Sequence, residues 1–484
     1  MRKAERMGMN EDDQHIEELM RFIAWIAKLR LPAGQAARVN SARDLALGAL
    51  EGTQTIASFG GTKLSTGPLS PGCLTCGQGT WSCLFLTGIC TADCVFCPQD
   101  LPRREHSPLA EGIRFEEPAA YADYLQRFGF RGVSFSGGEP LLAHKRLLAY
   151  VDAIRARCGD EMIIWVYTNG DLADQRRLSD LSAAGVNEIR FDISAREYDL
   201  APVELARRTI RTITVEIPAL PEDLERLKAS LVALEQIGID HLNLHQLVAT
   251  QHNYRRLQGR GYTFLRPEAF REPPVLESEM AALELLRFAG EEGLKLPINY
   301  CSHVYKARYQ ELARRRRAAE IVRTGPERVT EAGYICQLAI EGDPARIRSI
   351  MGALAQHGID ERHWLTVDDG ARLTIDPSLL RNPALTDAGY TLRYFEADIV
   401  QRSGPRTARE IALHSGRIVY VDRWQVADRP GLSRAAIADL VDPRTASIAE
   451  AGSDDRSLAT GRAGQSSRAL DLLERTPSGL PVIA

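Results

Sequence analysis

The sequence predicts an α/β protein built on a partial (β/α)6 TIM-like barrel, with an N-terminal helical and cysteine-rich extension and a small C-terminal α+β module. Three observations predict it. From residue 82 short apolar runs alternate with helical stretches, the pattern of repeated βα units around a parallel sheet. Six of the nine cysteines fall between positions 73 and 97, at the front of that pattern. The 484 residues, 44% of them hydrophobic, suffice for one domain of about 200–250 residues with smaller ones beside it.

The elements follow in order. Asn10 can cap a helix whose first turn holds Glu11, Asp12 and Asp13, and Ile16, Leu19, Ile23 and Ile26 recur at helical spacing until Pro32. A second helical stretch follows Ser41, and residues 59–71, rich in Gly, Ser, Thr and Pro, read as a connector. Strands are expected at 84–87, 132–136, 162–168, 188–193, 212–217 and 241–247, with helices at 119–128, 142–156, 174–184 and 224–237 between them. In barrels of this kind ligands sit at the C-terminal ends of the strands. A basic helix carries Arg314 to Arg317, for which a solvated face is the first reading and a grip on acidic peptide, nucleic acid or phosphate the second. Strand, helix and strand at 333–340, 344–357 and 390–400 make a small α+β module, and the Ala-, Ser- and Gly-rich stretch after Pro443 reads as disordered. The expected organisation is therefore an extension over 1–81, the barrel over 82–300, a basic helical linker over 301–326, an accessory module over 327–425 and a mostly disordered tail over 426–484.

Sixty Lys and Arg against 64 Asp and Glu leave a formal charge of −4, which gives no general drive toward nucleic acid or a membrane surface. No apolar run follows the basic residues at the N-terminus and no stretch of about 20 apolar residues occurs, so a secretory signal and a membrane span are not expected and the cytoplasm is the expected location. Nine cysteines are too few for a disulfide scaffold in a chain of this size, and their clustering points to metal.

The strongest chemical signal is Cys90-Thr-Ala-Asp-Cys94-Val-Phe-Cys97, in the loop after the first expected strand. Three thiolates can hold three irons of a cubane and leave the fourth open to a ligand, and a Zn site or three unrelated thiols are the plainer alternatives. At the end of the second strand stands Ser136-Gly137-Gly138-Glu139-Pro140, where paired glycines permit close approach of the backbone and Glu139 offers an acceptor for an ammonium group. Together these residues resemble the radical S-adenosylmethionine (SAM) superfamily: Cys90, Cys94 and Cys97 match its CxxxCxΦC pattern, Phe96 fills the aromatic position, and Gly137, Gly138, Glu139 and Pro140 match its amine-binding motif. The resemblance spans roughly residues 82–250.

It implies a [4Fe–4S] cluster on the three cysteines, SAM chelating the open iron, an external electron donor of flavodoxin or ferredoxin type, and cofactor-facing polar groups at strand ends, for which Thr168, Asn169, Asp192 and Ser194 are the candidates. Arg196, Glu216 and His245 could face the substrate or be satisfied barrel residues. Cys73 and Cys76 have a chelating CxxC spacing; with Cys83 and Cys301 they could close an auxiliary Fe or Zn site, whereas Cys158 and Cys336 read as packed thiols. The pattern from Cys73 to Cys97 and around Cys301 is also similar to the methanogenesis-marker type of radical enzyme, whose best-known member methylates an arginine carbon with cobalamin. That similarity implies C-methylation of a peptide or protein, with cobalamin a further cofactor. Activation of a glycyl-radical enzyme and a non-catalytic iron–sulfur role are the alternatives.

Overall fold

In the computed structural model, residues 11–99, 106–266, 272–385, 389–400, 408–441 and 470–483 are described. The chain divides into two compact units, Met1–Tyr309 with Ser478–Ala484, and Gln310–Pro477.

The first unit is built on seven parallel strands in chain order: β1 (Trp81–Thr87), β2 (Gly132–Gly137), β3 (Ile163–Thr168), β4 (Glu188–Phe191), β5 (Thr212–Pro218), β6 (His241–His245) and β7 (Ile298–Cys301). Six of these are the expected strands; β7, four residues long, is too short for its pattern to announce it. The strands form an open partial barrel, with both edges covered. A hairpin of Ile56–Ser58 and Lys63–Ser65 pairs antiparallel with β7, and the short strand Leu109–Ala110 pairs with β1. The expected connector therefore contains a sheet edge; the first helix, Glu11–Ile26, ends before Pro32, which instead caps the second, running Ala33–Gly48 rather than starting after Ser41.

Each strand alternates, and the alternation sets the two faces of the wall. Val133, Phe135, Ile164, Val166, Ile189, Ile213, Val215, Leu242, Leu244 and Ile298 are all fully buried on the outer face. The residues between them are polar or aromatic: Trp165 and Tyr167, Glu188 and Arg190, Thr214 and Glu216, Asn243 and His245, Asn299 and Cys301. They hydrogen-bond to one another across neighbouring strands, so the lumen is a polar network. The short helix Pro71–Gly77, capped by Ser70 Oγ on Cys73 N at 3.2 Å, closes its lower end. Its Gly72 N–H donates to Glu188 Oε2 at 3.1 Å, and a Cβ on Gly72 would lie 2.4 Å from the Arg190 guanidinium.

The second unit is a seven-stranded sheet of antiparallel pairs, and the helix Pro344–Gln356 packs Ile347 and Leu354 into a core with Cys336, Leu338, Ile340, Leu373, Leu392 and Tyr394. Two of the four consecutive arginines are used inside this unit: Arg314 pairs with Asp398 at 3.3 Å and Arg315 donates to Ala332 O at 2.9 Å. The expected disordered tail is structured in part. A strand runs Ile418–Leu432, a helix follows at Arg434–Val441, and Glu474 pairs with Arg328 at 2.5 Å beneath Tyr394. Residues 442–469 lie outside the described residues. Among the described residues no helix is long and apolar enough to cross a membrane.

Candidate active site

The loop after β1 carries Cys90, Cys94 and Cys97, and it is tied down from several elements. Gly138 N donates to Thr87 O at 2.6 Å and Glu139 N to Ile89 O at 2.8 Å, so the start of the loop is stitched to the end of β2. The two glycines permit this contact: a Cβ on Gly137 would stand 2.3 Å from Thr87 O and one on Gly138 1.9 Å from Ile89 O, and Gly137 has φ +114°. The sequence predicts that these glycines let backbone come close to a ligand; here they let it come close to the cysteine loop.

Glu139 is wholly buried and binds inward. Its Oε1 accepts from Leu141 N at 3.0 Å and Thr168 Oγ1 at 2.9 Å, and its Oε2 from Asn169 N at 2.8 Å. Burial holds its pKa above the ordinary carboxylate value against those three donors. The carboxylate thus fixes the end of β3, and Asn169 reaches back to the loop, with Nδ2 2.8 Å from Thr91 Oγ1 and 3.8 Å from Cys90 Sγ. Pro140 opens the short 3₁₀ turn that Glu139 caps. At the end of β4, Asp192 accepts from Ser194 N at 3.1 Å and from the Ser194 hydroxyl, and burial pushes its pKa up to about 6.

On the far side the loop is held by residues with no sequence signal of their own. Asn253 Nδ2 donates to Phe96 O at 3.1 Å, while Arg256 donates to Asp93 O at 3.0 Å and Cys94 O at 3.2 Å. Phe96 packs against Leu220, Leu247 and Val275, and Val95 against Phe22, Ala249, Tyr254 and Leu257. The aromatic before the third cysteine is therefore an apolar anchor for the loop.

The donor set fits an iron–sulfur cluster. Burial pushes the Cys94 thiol up to about 12, and Asp192, Cys97 and Cys90 beside it add to the cost of a thiolate. A crowded, half-buried set of thiols and a carboxylate is stabilised by a cation, and three cysteines on one short loop suit a cubane with one open iron. Thr168, Asn169, Asp192 and Ser194 stand at the adjoining ends of β3 and β4.

The proposed auxiliary set fares differently. Cys73, Cys76 and Cys301 are brought together, but around the ammonium of Lys63, which lies 2.9 Å from Cys301 Sγ and 4.0 Å from the centre of the Tyr305 ring. Burial alone would lower the pKa of Lys63, yet the three neighbouring thiols hold it above its ordinary value. Asn299 Nδ2 lies 3.8 Å from Cys73 Sγ and 3.3 Å from Cys301 Sγ, and Cys76 Sγ is 3.8 Å from Tyr305 Oη. Cys83 is placed elsewhere, opposite Ser134 on β2, with its thiol pushed up to about 12 by burial. A cation already stands among these thiols, so the residues do not fit an auxiliary Fe or Zn. Cys336 is a buried core thiol, and Cys158 Sγ lies 3.7 Å from Ala122 O, as packing residues do.

Residues 84–217 match the family model described as the Radical SAM superfamily. The chain is 27% identical over 279 residues to a protein of Methanocaldococcus jannaschii provisionally named a glycyl-radical enzyme activating enzyme, covering 55% of this chain and 72% of that protein. It is 34% identical over 84 residues to a similarly named protein of Haemophilus influenzae, covering 17% of this chain and 30% of that protein. Among solved structures it is similar to the radical SAM methyltransferase TsrM from Kitasatospora setae, with TM-score 0.29, 17% identity and coverage of 38% and 39% of the two chains. It is also similar to coproporphyrinogen III oxidase from Escherichia coli, with TM-score 0.31, 12% identity and coverage of 46% and 57%. The matched segment, residues 84–217, holds the cysteine loop and the Gly-Gly-Glu-Pro turn in one stitched site, and over that segment the chain carries a radical SAM superfamily domain.

Proposed function

We propose that this enzyme removes a hydrogen atom from a polypeptide substrate by way of SAM bound beside the Cys90, Cys94 and Cys97 loop. When bound, the [4Fe–4S] cluster and SAM supply a 5′-deoxyadenosyl radical, which removes hydrogen from carbon that side chains alone cannot activate. Cys90, Cys94 and Cys97 would hold three irons. Gly137 and Gly138 fix the loop that presents them, Glu139 orders the backbone at Asn169, and Asn169, Asp192 and Ser194 offer polar groups to the ribose and methionyl part of SAM.

The observation that carries this reading is the stitched contact between the cysteine loop and the glycine pair, because it joins two separate sequence motifs into one rigid site. The polypeptide substrate is supported by the two relatives named as activators of glycyl-radical enzymes, which act on a protein. The test uses anaerobically reconstituted protein with SAM and dithionite. About four irons per chain and formation of 5′-deoxyadenosine are expected, both abolished by Cys94→Ala. Cleavage of SAM retained in that variant would refute the site assignment.

A further inference from the structure

Below the cysteine loop the barrel lumen holds a chain of charged side chains that SAM cleavage as derived above does not use. On β4 Arg190 stands two residues before Asp192; its Nη1 donates to Glu216 Oε2 at 2.6 Å and its Nε to Glu188 Oε1 at 2.8 Å. Glu216 Oε1 accepts from His245 Nε2 at 2.7 Å, and His245 Nδ1 in turn lies 2.5 Å from Lys306 Nζ. Arg190 overrides burial and holds the Glu216 carboxyl well below its ordinary pKa. With Nε2–H donating to a carboxylate and Nδ1 accepting from an ammonium, His245 is the neutral Nε2–H tautomer, consistent with burial and the charge of Lys306 lowering its pKa.

In this layer basic groups outnumber carboxylates. Arg190, Lys63 and Lys306 are three basic groups against the carboxylates Glu188 and Glu216; the thiols of Cys301, Cys73 and Cys76 face Lys63, and burial lowers the pKa of Lys306 against the pull of Cys301, Glu216 and Cys76. Charge inside a protein is stable when it is paired. Lys63 is wholly enclosed, 1% exposed among the thiols and under Tyr305, whereas the His245 side chain is 26% exposed and Lys306 is half-buried. An ammonium carries three donors, and the bond to His245 uses one. Independently, Lys306 opens a π-helical turn, Lys306–Gln310, a rare backbone form that recurs at functional sites. That turn is anchored below by Tyr305 and Tyr309 stacked at 5.9 Å, and Arg308 donates to Gly479 O at 2.6 Å.

We propose that Lys306 and His245 seat a carboxylate of the substrate in the barrel lumen, next to the site of hydrogen abstraction. The inference rests on the radical SAM reading and names the chemical group that site recognises. A carboxylate would supply the negative partner that burial denies the Lys306 ammonium, and the neutral imidazole beside it adds polar contact without a second charge. The Glu216 and Arg190 pairs hold His245 in the tautomer that keeps Lys306 aimed at the lumen.

The test takes the reconstituted full chain with acetate as probe, acetamide as its neutral counterpart and chloride to hold ionic strength constant. Unfolding of the barrel is followed by loss of the cluster's visible absorption. Acetate is expected to raise Tm saturably where acetamide does not, and the shift is expected to vanish in Lys306→Met, whose iron content per chain reports an intact barrel. An equal shift with acetamide, or an acetate shift that persists in Lys306→Met, overturns the proposal, as does the absence of any shift in wild type. If Lys306→Met does not load iron, His245→Phe replaces it with the same two outcomes. Failure of the wild type to bind four irons or form 5′-deoxyadenosine is a separate result, which would overturn the radical SAM reading beneath it.

Discussion

At the scale of single residues the site depends on atoms that are missing. A methyl group on Gly138 would collide with Ile89 O and the Cys90 amide, backbone that cannot yield without moving the first cluster cysteine. Overpacking of this kind costs about 1–3 kcal/mol where the neighbours can shift. The expected outcome for Gly138→Ala is a folded protein by circular dichroism that retains less than about half of the wild-type iron after reconstitution, as a loop strained by that amount would. A full complement of iron would show that the stitch between loop and β2 is dispensable. Gly238→Ala is the control, since a Cβ there meets open space at a helix end with φ +75° and its strain does not touch the loop. Glu139 teaches the same lesson from the other side. A buried carboxylate after two glycines was legible as a binding group, but its donors turned out to be Leu141, Thr168 and Asn169 of the chain itself, because sequence cannot say which backbone amides a tight turn will leave without a partner.

At the scale of elements, the short helix Tyr254–Gln258 packs Tyr254 and Leu257 on Val95 of the cysteine loop and makes its hydrogen bonds to the loop through Arg256, on the carbonyls of Asp93 and Cys94. Those bonds are charge-assisted but part-exposed, so Arg256→Ala is expected to cost about 1 kcal/mol of loop order. The expected result is about fivefold faster bleaching of the cluster by an iron chelator, at unchanged initial iron content, and an unaltered bleaching rate would count against the clamp. Of the elements that build the site, β1 to β6 were legible because each carries a run of alternating or continuous apolar residues bounded by turn signals. The Ile298–Cys301 strand was not, since Ile-Asn-Tyr-Cys offers only two apolar residues facing the helices. The same shortness hid the partnership of Lys63 with Cys301, which exists only because a three-residue hairpin strand pairs with that edge in register. Spacing alone suggested four cysteines on a metal. The register put a lysine among three of them and turned the fourth, Cys83, toward Ser134.

At the scale of the whole molecule, acid acts on the buried titratable groups of the unit that carries the cysteine loop. In the unit of Met1–Tyr309, burial pushes the His303 imidazole down to about 3 with Lys306 adding to the effect, and His245 is lowered as well. A histidine of the unfolded chain titrates near 6.5, so below that pH the unfolded state takes up protons that the folded state refuses. Stability contributed by these neutral imidazoles is therefore complete above about pH 6.5 and falls as pH drops toward about 3 for His303, by up to about 1.4 kcal/mol per pH unit for each. The Glu284 carboxylate works over a lower window: held at about 2 by Arg287 and Lys228, it loses its contribution only as pH falls from its unfolded value through that range. Between pH 7 and pH 5 the histidines pull stability down, while Asp192, raised to about 6, opposes them by taking up its proton in the folded state. Urea midpoints measured across that interval, each referred to its value at pH 7, should fall further for the wild type than for His303→Leu, a difference that isolates His303 from Asp192. Equal slopes would mean that His303 takes up a proton in place, and the neutral-imidazole account of this part of the barrel would have to be given up.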